Sequence, residues 1–264
     1  MATLQVGDET VGYAVEGPAN GDGVPLLLFH GTTMSRTAWD MVRAALPGNT
    51  YQFVLIEFPG SGESSMPGAP LTVRGLVEQA LALMDHLGHR QFHVCGYSIG
   101  AVVALSTAAA APDRVISATS LCGWAVTDPR MRLTFDLWKR LIAVDNELFL
   151  RYTLVDGFTV GALTIAEPLI DEILPISAAL IAPGSAAHLD LDKTIDIAAE
   201  LEKITAKTLI IGAIDDRFVD ISHSRALSAA IVGSTLVELP AGHMVIQELA
   251  VDVANLIREH LSGT

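Results

Sequence analysis

Cysteine is nearly absent. The chain has only Cys95 and Cys122, each closing an apolar run, so no disulfide framework is indicated and both read as buried core thiols. Positive charge is also scarce: 16 Lys and Arg against 30 Asp and Glu leave a net charge of −14. That balance excludes an electrostatic footprint for nucleic acid or anionic lipid, serves solubility, and disfavours anionic substrates. Half of the residues are apolar, yet no run approaches the roughly 18 uninterrupted apolar residues of a membrane helix, so no membrane partner is expected. The opening MATLQVGDET lacks the basic and apolar regions of a secretory signal, and the expected location is cytoplasmic. Gly-Lys-Ser/Thr does not occur, and Gly60-Ser61-Gly62 lacks the third glycine of a dinucleotide loop. His86, His89, His93, His188, His223 and His260 have no partners at metal-ligand spacing. Neither a metal nor another cofactor is therefore expected.

What the chain does have is an alternation of strand-like and helix-like patterns. Thr10–Glu16 reads as an antiparallel edge strand and Val24–Phe29 as a buried strand; Ser35–Leu46 follows as a helix stopped by Pro47-Gly48. Gln52–Phe58 is the next strand, and Thr72–Leu87 a helix with Thr72 as N-cap and Gly88 beyond its end. Strands follow at Phe92–Cys95, Val115–Cys122, Thr208–Gly212 and Thr235–Leu239, with helices at Ser222–Val232 and Met244–Leu261. Strands alternating with helices of this size predict an α/β fold with a mostly parallel, doubly wound sheet. Between Gly123 and Lys203 the strand pattern stops while helical periodicity continues, as in Leu133, Leu137 and Leu141. Residues 1–122 and 204–264 are thus expected to form the core, and 123–203 a helical cap that supplies substrate contacts.

Gly96-Tyr97-Ser98-Ile99-Gly100 lies between a buried strand and an Ala-rich helical run that ends at Pro112. In that setting Gly-x-Ser-x-Gly is a sharp strand-to-helix turn, which strains the serine backbone and exposes its hydroxyl. A serine nucleophile needs a histidine base and an acid that orients it. Downstream, Leu209–Ala213 runs into Asp215 near a strand end, and Leu239-Pro240-Ala241-Gly242-His243 leaves a histidine on a short loop. The register from Gly212 favours Asp215 as the acid, with Asp216 solvated or paired with Arg217; Asp128 is a further candidate several residues past its strand.

Together, His30-Gly31, Gly96 to Gly100, Gly212 to Asp215 and Gly242-His243 resemble, in order, the motifs of the α/β-hydrolase family, in its small capped branch of esterases, lactonases and carbon–carbon bond hydrolases. The resemblance spans essentially the whole chain. It implies Ser98 as nucleophile, His243 as general base and acid, Asp215 as orienting carboxylate, and an oxyanion hole from the backbone N–H groups of Thr32 and Ile99. His30 is expected to hold the oxyanion loop. The chain departs from the family pattern at Glu57, where aspartate is usual, and at Ser61, where histidine or arginine is usual. Trp124 past its strand is a candidate for the pocket wall or for an anchor of the cap, and Met34 and Met244 beside the catalytic loops are candidates for the wall. The expected activity is hydrolysis of an apolar small-molecule ester or lactone through an acyl-enzyme. The same triad also serves carbon–carbon bond hydrolases and thioesterases, and the same fold serves small-molecule receptors. Homodimerisation is left open.

Overall fold

The computed structural model describes residues 2–18, 24–46 and 51–262; the expected Pro47-Gly48 helix stop lies outside them. Its frame is one eight-stranded sheet of β1 (Ala2–Val6), β2 (Glu9–Glu16), β3 (Leu26–Phe29), β4 (Phe53–Ile56), β5 (Phe92–Tyr97), β6 (Val115–Leu121), β7 (Lys207–Ala213) and β8 (Thr235–Leu239). The order is β1-β2-β4-β3-β5-β6-β7-β8, antiparallel where β2 meets β1 and β4 and parallel from β4 to β8. The Thr10–Glu16 strand was expected at the sheet edge, but β1 pairs along it and takes that place. Ala2–Val6 carries only partly buried and exposed side chains, so it lacks the apolar run that marks an inner strand.

The inner strands are buried on both faces. Leu27, Phe29, Val54 and Ile56 join one apolar cluster, while Leu26, Leu28, Phe53 and Leu55 join the other, following the two-residue period of a strand. α2 (Val73–His86) and α3 (Ile99–Ala110) cover the first face. α1 (Asp40–Ala45), preceded by a 3-10 turn at Arg36–Trp39, packs with the C-terminal helix on the second. Thr72 caps α2 as expected, its hydroxyl accepting from Gly75 N–H at 3.0 Å.

Between β6 and β7 the described chain forms α4 (Pro129–Val144), α5 (Asn146–Gly157), α6 (Val160–Ala166), α7 (Ile170–Ala178) and α8 (Ser185–Asp192), with 3-10 turns at Glu167–Leu169 and Ala198–Lys203. Asp128, Asp145 and Thr159 cap the first three of these helices by accepting from backbone N–H groups. α9 (Ile221–Ala230) follows β7. The single helix expected over Met244–Leu261 is divided into α10 (Val245–Glu248) and α11 (Ala250–Ser262), because Leu249 leaves the helical region at φ −129° and ψ 41°. Among the described residues no helix is long and apolar enough to cross a membrane.

Candidate active site

β5 delivers the chain to the serine and α3 takes it away. Ser98 stands between them at φ 57° and ψ −122°, a strained backbone for a residue with a side chain. The turn closes because its glycines let backbone meet backbone. A Cβ on Gly96 would strike the Gly100 carbonyl, and one on Gly100 would strike the carbonyls of Phe29 and His30.

Ser98 Oγ lies 3.1 Å from His243 Nε2, and His243 Nδ1 lies 2.6 Å from Oδ2 of Asp216. A carboxylate facing Nδ1 places the ring proton there, leaving the Nε2 lone pair to accept from the Ser98 hydroxyl. All three side chains are buried. The carboxylate that faces the ring is therefore Asp216, one residue beyond the expected Asp215. After β7 the Asp215 N–H donates to Ala241 O at 3.0 Å and its side chain is left exposed, so the next side chain turns inward. Asp216 Oδ1 then accepts from the N–H groups of Phe218 and Val219, both at 2.8 Å, which locks the carboxylate in an aspartate turn. Asp216 is neither solvated nor paired with Arg217, whose guanidinium reaches Asp156 at 3.4 Å. Asp128 stays outside the site as the cap of α4 and accepts from His223 Nε2 at 3.0 Å.

Three neighbours that the sequence did not assign to the site, Tyr97, Glu248 and Cys122, hold this arrangement. Tyr97 donates to the His243 carbonyl at 3.0 Å, and Glu248 Oε1 accepts from Gly242 N–H at 2.9 Å, pinning the histidine loop from both sides. Burial, and then the Asp216 charge, hold the Cys122 thiol well above its ordinary value, so it stays protonated and donates to that carboxylate. Cys95 and Cys122 are both buried and free, as expected.

His30 has the structural place expected of it. Its Nδ1 donates to Gly31 O at 2.8 Å and its Nε2 accepts from Phe58 N–H at 3.1 Å, while burial pushes the ring down to about 3 and keeps it neutral. The two departures from the family pattern are built into the same loop. Glu57 accepts from the Arg36 guanidinium at 2.7 Å and from its N–H at 3.0 Å, and Ser61 Oγ donates to Met34 O at 2.8 Å. Ile99 is the first residue of α3, where a backbone N–H has no intrahelical acceptor. Thr32 lies in the buried loop that follows His30-Gly31.

Ser98, His243 and Thr32 line a cavity of about 660 Å³, together with Met34, Met244 and Tyr97. Trp138, Phe149, Leu154 and Phe158 from the helical segment complete much of its wall. Trp124 does not reach it. Its indole is wholly buried, donates through Nε1 to Thr127 Oγ1 at 2.9 Å, and packs on Phe135 with ring centres 6.0 Å apart. Of the two places its position allowed, pocket wall or anchor of the cap, the ring takes the second, packed beneath the helices.

A family model described as the alpha/beta hydrolase fold matches residues 24–169, more than half of the chain. The chain belongs to the α/β-hydrolase family. This hydrolase is similar to a pyrrolizixenacetamide deacetylase of Xenorhabdus hominickii, 29% identical over 99% of this chain and 98% of the relative. It is also similar in fold to the enol-lactonase of Burkholderia xenovorans LB400 (TM-score 0.87, 22% identity, covering 99% and 100% of the two chains). A thermophilic esterase from Thermogutta terrifontis has the same fold, with a TM-score of 0.85, 20% identity and coverage of 100% and 99%. At those identities the two structures speak for the fold alone.

Proposed function

We propose that this α/β hydrolase is a serine hydrolase that cleaves an ester or lactone of a neutral, apolar small molecule through an acyl-enzyme. The supporting observation is the unbroken line Ser98 Oγ, His243, Asp216 opening into a largely apolar cavity. In this reading His243 Nε2 takes the Ser98 proton as Oγ attacks the substrate carbonyl, and Asp216 stabilises the imidazolium. The N–H groups of Thr32 and Ile99 receive the developing oxyanion. The tetrahedral intermediate collapses as His243 returns the proton to the leaving oxygen; water, activated by the same histidine, then releases the acid. Helices α4 to α7 act as a cap that selects the apolar part of the substrate. Among the described residues lining the cavity none is Lys or Arg, while Glu248 is present, which favours neutral substrates over carboxylates.

Likeness over nearly the full chain to a protein named a deacetylase supports a second reading, cleavage of an amide by the same triad. Matched ester and amide substrates with one acyl group separate the two. For either, Ser98→Ala should lower turnover by roughly 10³-fold or more while leaving the fold intact, and a fluorophosphonate probe should label Ser98. Unchanged turnover in that variant, or labelling of another serine, would overturn the nucleophile assignment.

A further inference from the structure

The loop that carries Thr32 is held by a residue far away in the chain. The Thr32 hydroxyl donates to Oδ2 of Asp192 at 2.7 Å, and Asp192 is the wholly buried last residue of α8. The next loop residue, Thr33, has a left-handed backbone at φ 67° and is tied to the same segment, its carbonyl accepting from Ala182 N–H at 3.0 Å. Asp192 is itself anchored: its carbonyl accepts from the Thr127 hydroxyl at 2.5 Å, and that hydroxyl accepts from Trp124 Nε1. The second carboxyl oxygen, Oδ1, is buried with no hydrogen-bond partner among the described residues. Burial pushes this carboxyl up to about 8, which favours its protonated form at neutral pH. A buried, half-partnered acid costs stability, and the Thr32 hydroxyl is the side chain it holds.

We propose that Asp192 is a positioning residue: by fixing the Thr32 side chain, it lets the helical segment between β6 and β7 set the direction of the Thr32 backbone N–H toward the reacting carbonyl. The inference rests on the reading of Ser98 as nucleophile and Thr32 as oxyanion donor. Such a donor acts only when aimed within hydrogen-bond distance of the oxygen as charge develops on it. Loosening the loop therefore weakens the transition state and spares binding of the apolar group.

The test uses the full chain and a neutral p-nitrophenyl ester. Asp192→Leu and Thr32→Val should each lower kcat by roughly tenfold to a hundredfold, less than outright loss of an oxyanion donor, with KM little changed. Asp192→Asn keeps the acceptor and the neutral state, so it should restore most of kcat. The Thr32→Val/Asp192→Leu double variant should be no worse than the poorer single one, because both break one bond. A folded Asp192→Leu with unchanged kcat, an Asn variant as poor as Leu, or additive losses would overturn the proposal. If Asp192→Leu fails to fold, Thr32→Val decides, and unchanged kcat there has the same consequence. Ser98→Ala runs in parallel: retained turnover overturns the nucleophile reading and this inference with it, whereas lost turnover with an unaffected Asp192→Leu overturns the inference alone.

Discussion

In the proposed triad, the carboxylate that orients the histidine is identified by what else holds it. Asp216 accepts from two backbone N–H groups and from His243 Nδ1, so replacing it with Asn sets an amide against the ring nitrogen and favours the wrong tautomer. Asp216→Asn should lower kcat by up to about 10⁴-fold, while Asp215→Asn, at an exposed side chain, should stay near wild type. Steady-state kinetics on one ester checks both, and a severe Asp215→Asn with a mild Asp216→Asn would reverse the assignment. The two aspartates also show where sequence reasoning reaches its limit. Gly96, Ser98, Gly100 and His243 were legible because each is required by its own few neighbours. Which aspartate turns inward depends on the Ala241 carbonyl, on another loop, capturing the Asp215 N–H, and nothing in the local pattern carries that.

At the scale of elements, strands and caps were legible wherever burial is continuous or a cap is local. β8 runs over Thr235–Leu239 as expected, and Thr72 caps α2. β1 was not, because a half-exposed edge strand has no apolar signature. The stretch between β6 and β7 was recognised as helical from its period, but period does not say which side chains meet the cavity. Phe158 lines it and is only partly buried, whereas Trp124 is enclosed. Phe158→Ala should therefore change kcat/KM by about 1–3 kcal/mol for esters whose acyl chain reaches it and little for acetate. Trp124→Ala should instead cost about 3–5 kcal/mol of stability, read as a lowered Tm, with selectivity across acyl lengths kept. Uniform kinetics across chain lengths in Phe158→Ala would leave the helices as packing without a role in selection.

Over the whole molecule, buried ionisable groups make stability depend on pH in two opposite directions. Burial pushes His30 down to about 3 and His93 and His188 down to about 4, from an ordinary 6.5. These rings bind protons more tightly when unfolded, so their contribution is complete above about pH 6.5 and is lost as pH falls toward the folded values. Asp192 works the other way. Its carboxyl, raised from 3.8 to about 8, holds a proton in the folded chain that the unfolded chain releases, so stability falls as pH rises between those values. Three histidines outweigh one carboxyl up to just below pH 7, and the carboxyl prevails above that as the unfolded rings lose their protons. From these four groups Tm should peak at about pH 7 and decline toward pH 8, the carboxyl contributing at most about 1.4 kcal/mol per pH unit. Asp192→Asn removes that proton and should flatten the decline between about pH 7 and 8 while leaving the acid limb in place. Thermal melts of both proteins across that range measure the difference, and an undiminished decline in Asp192→Asn would mean that the carboxyl is already ionised at neutral pH in the folded chain.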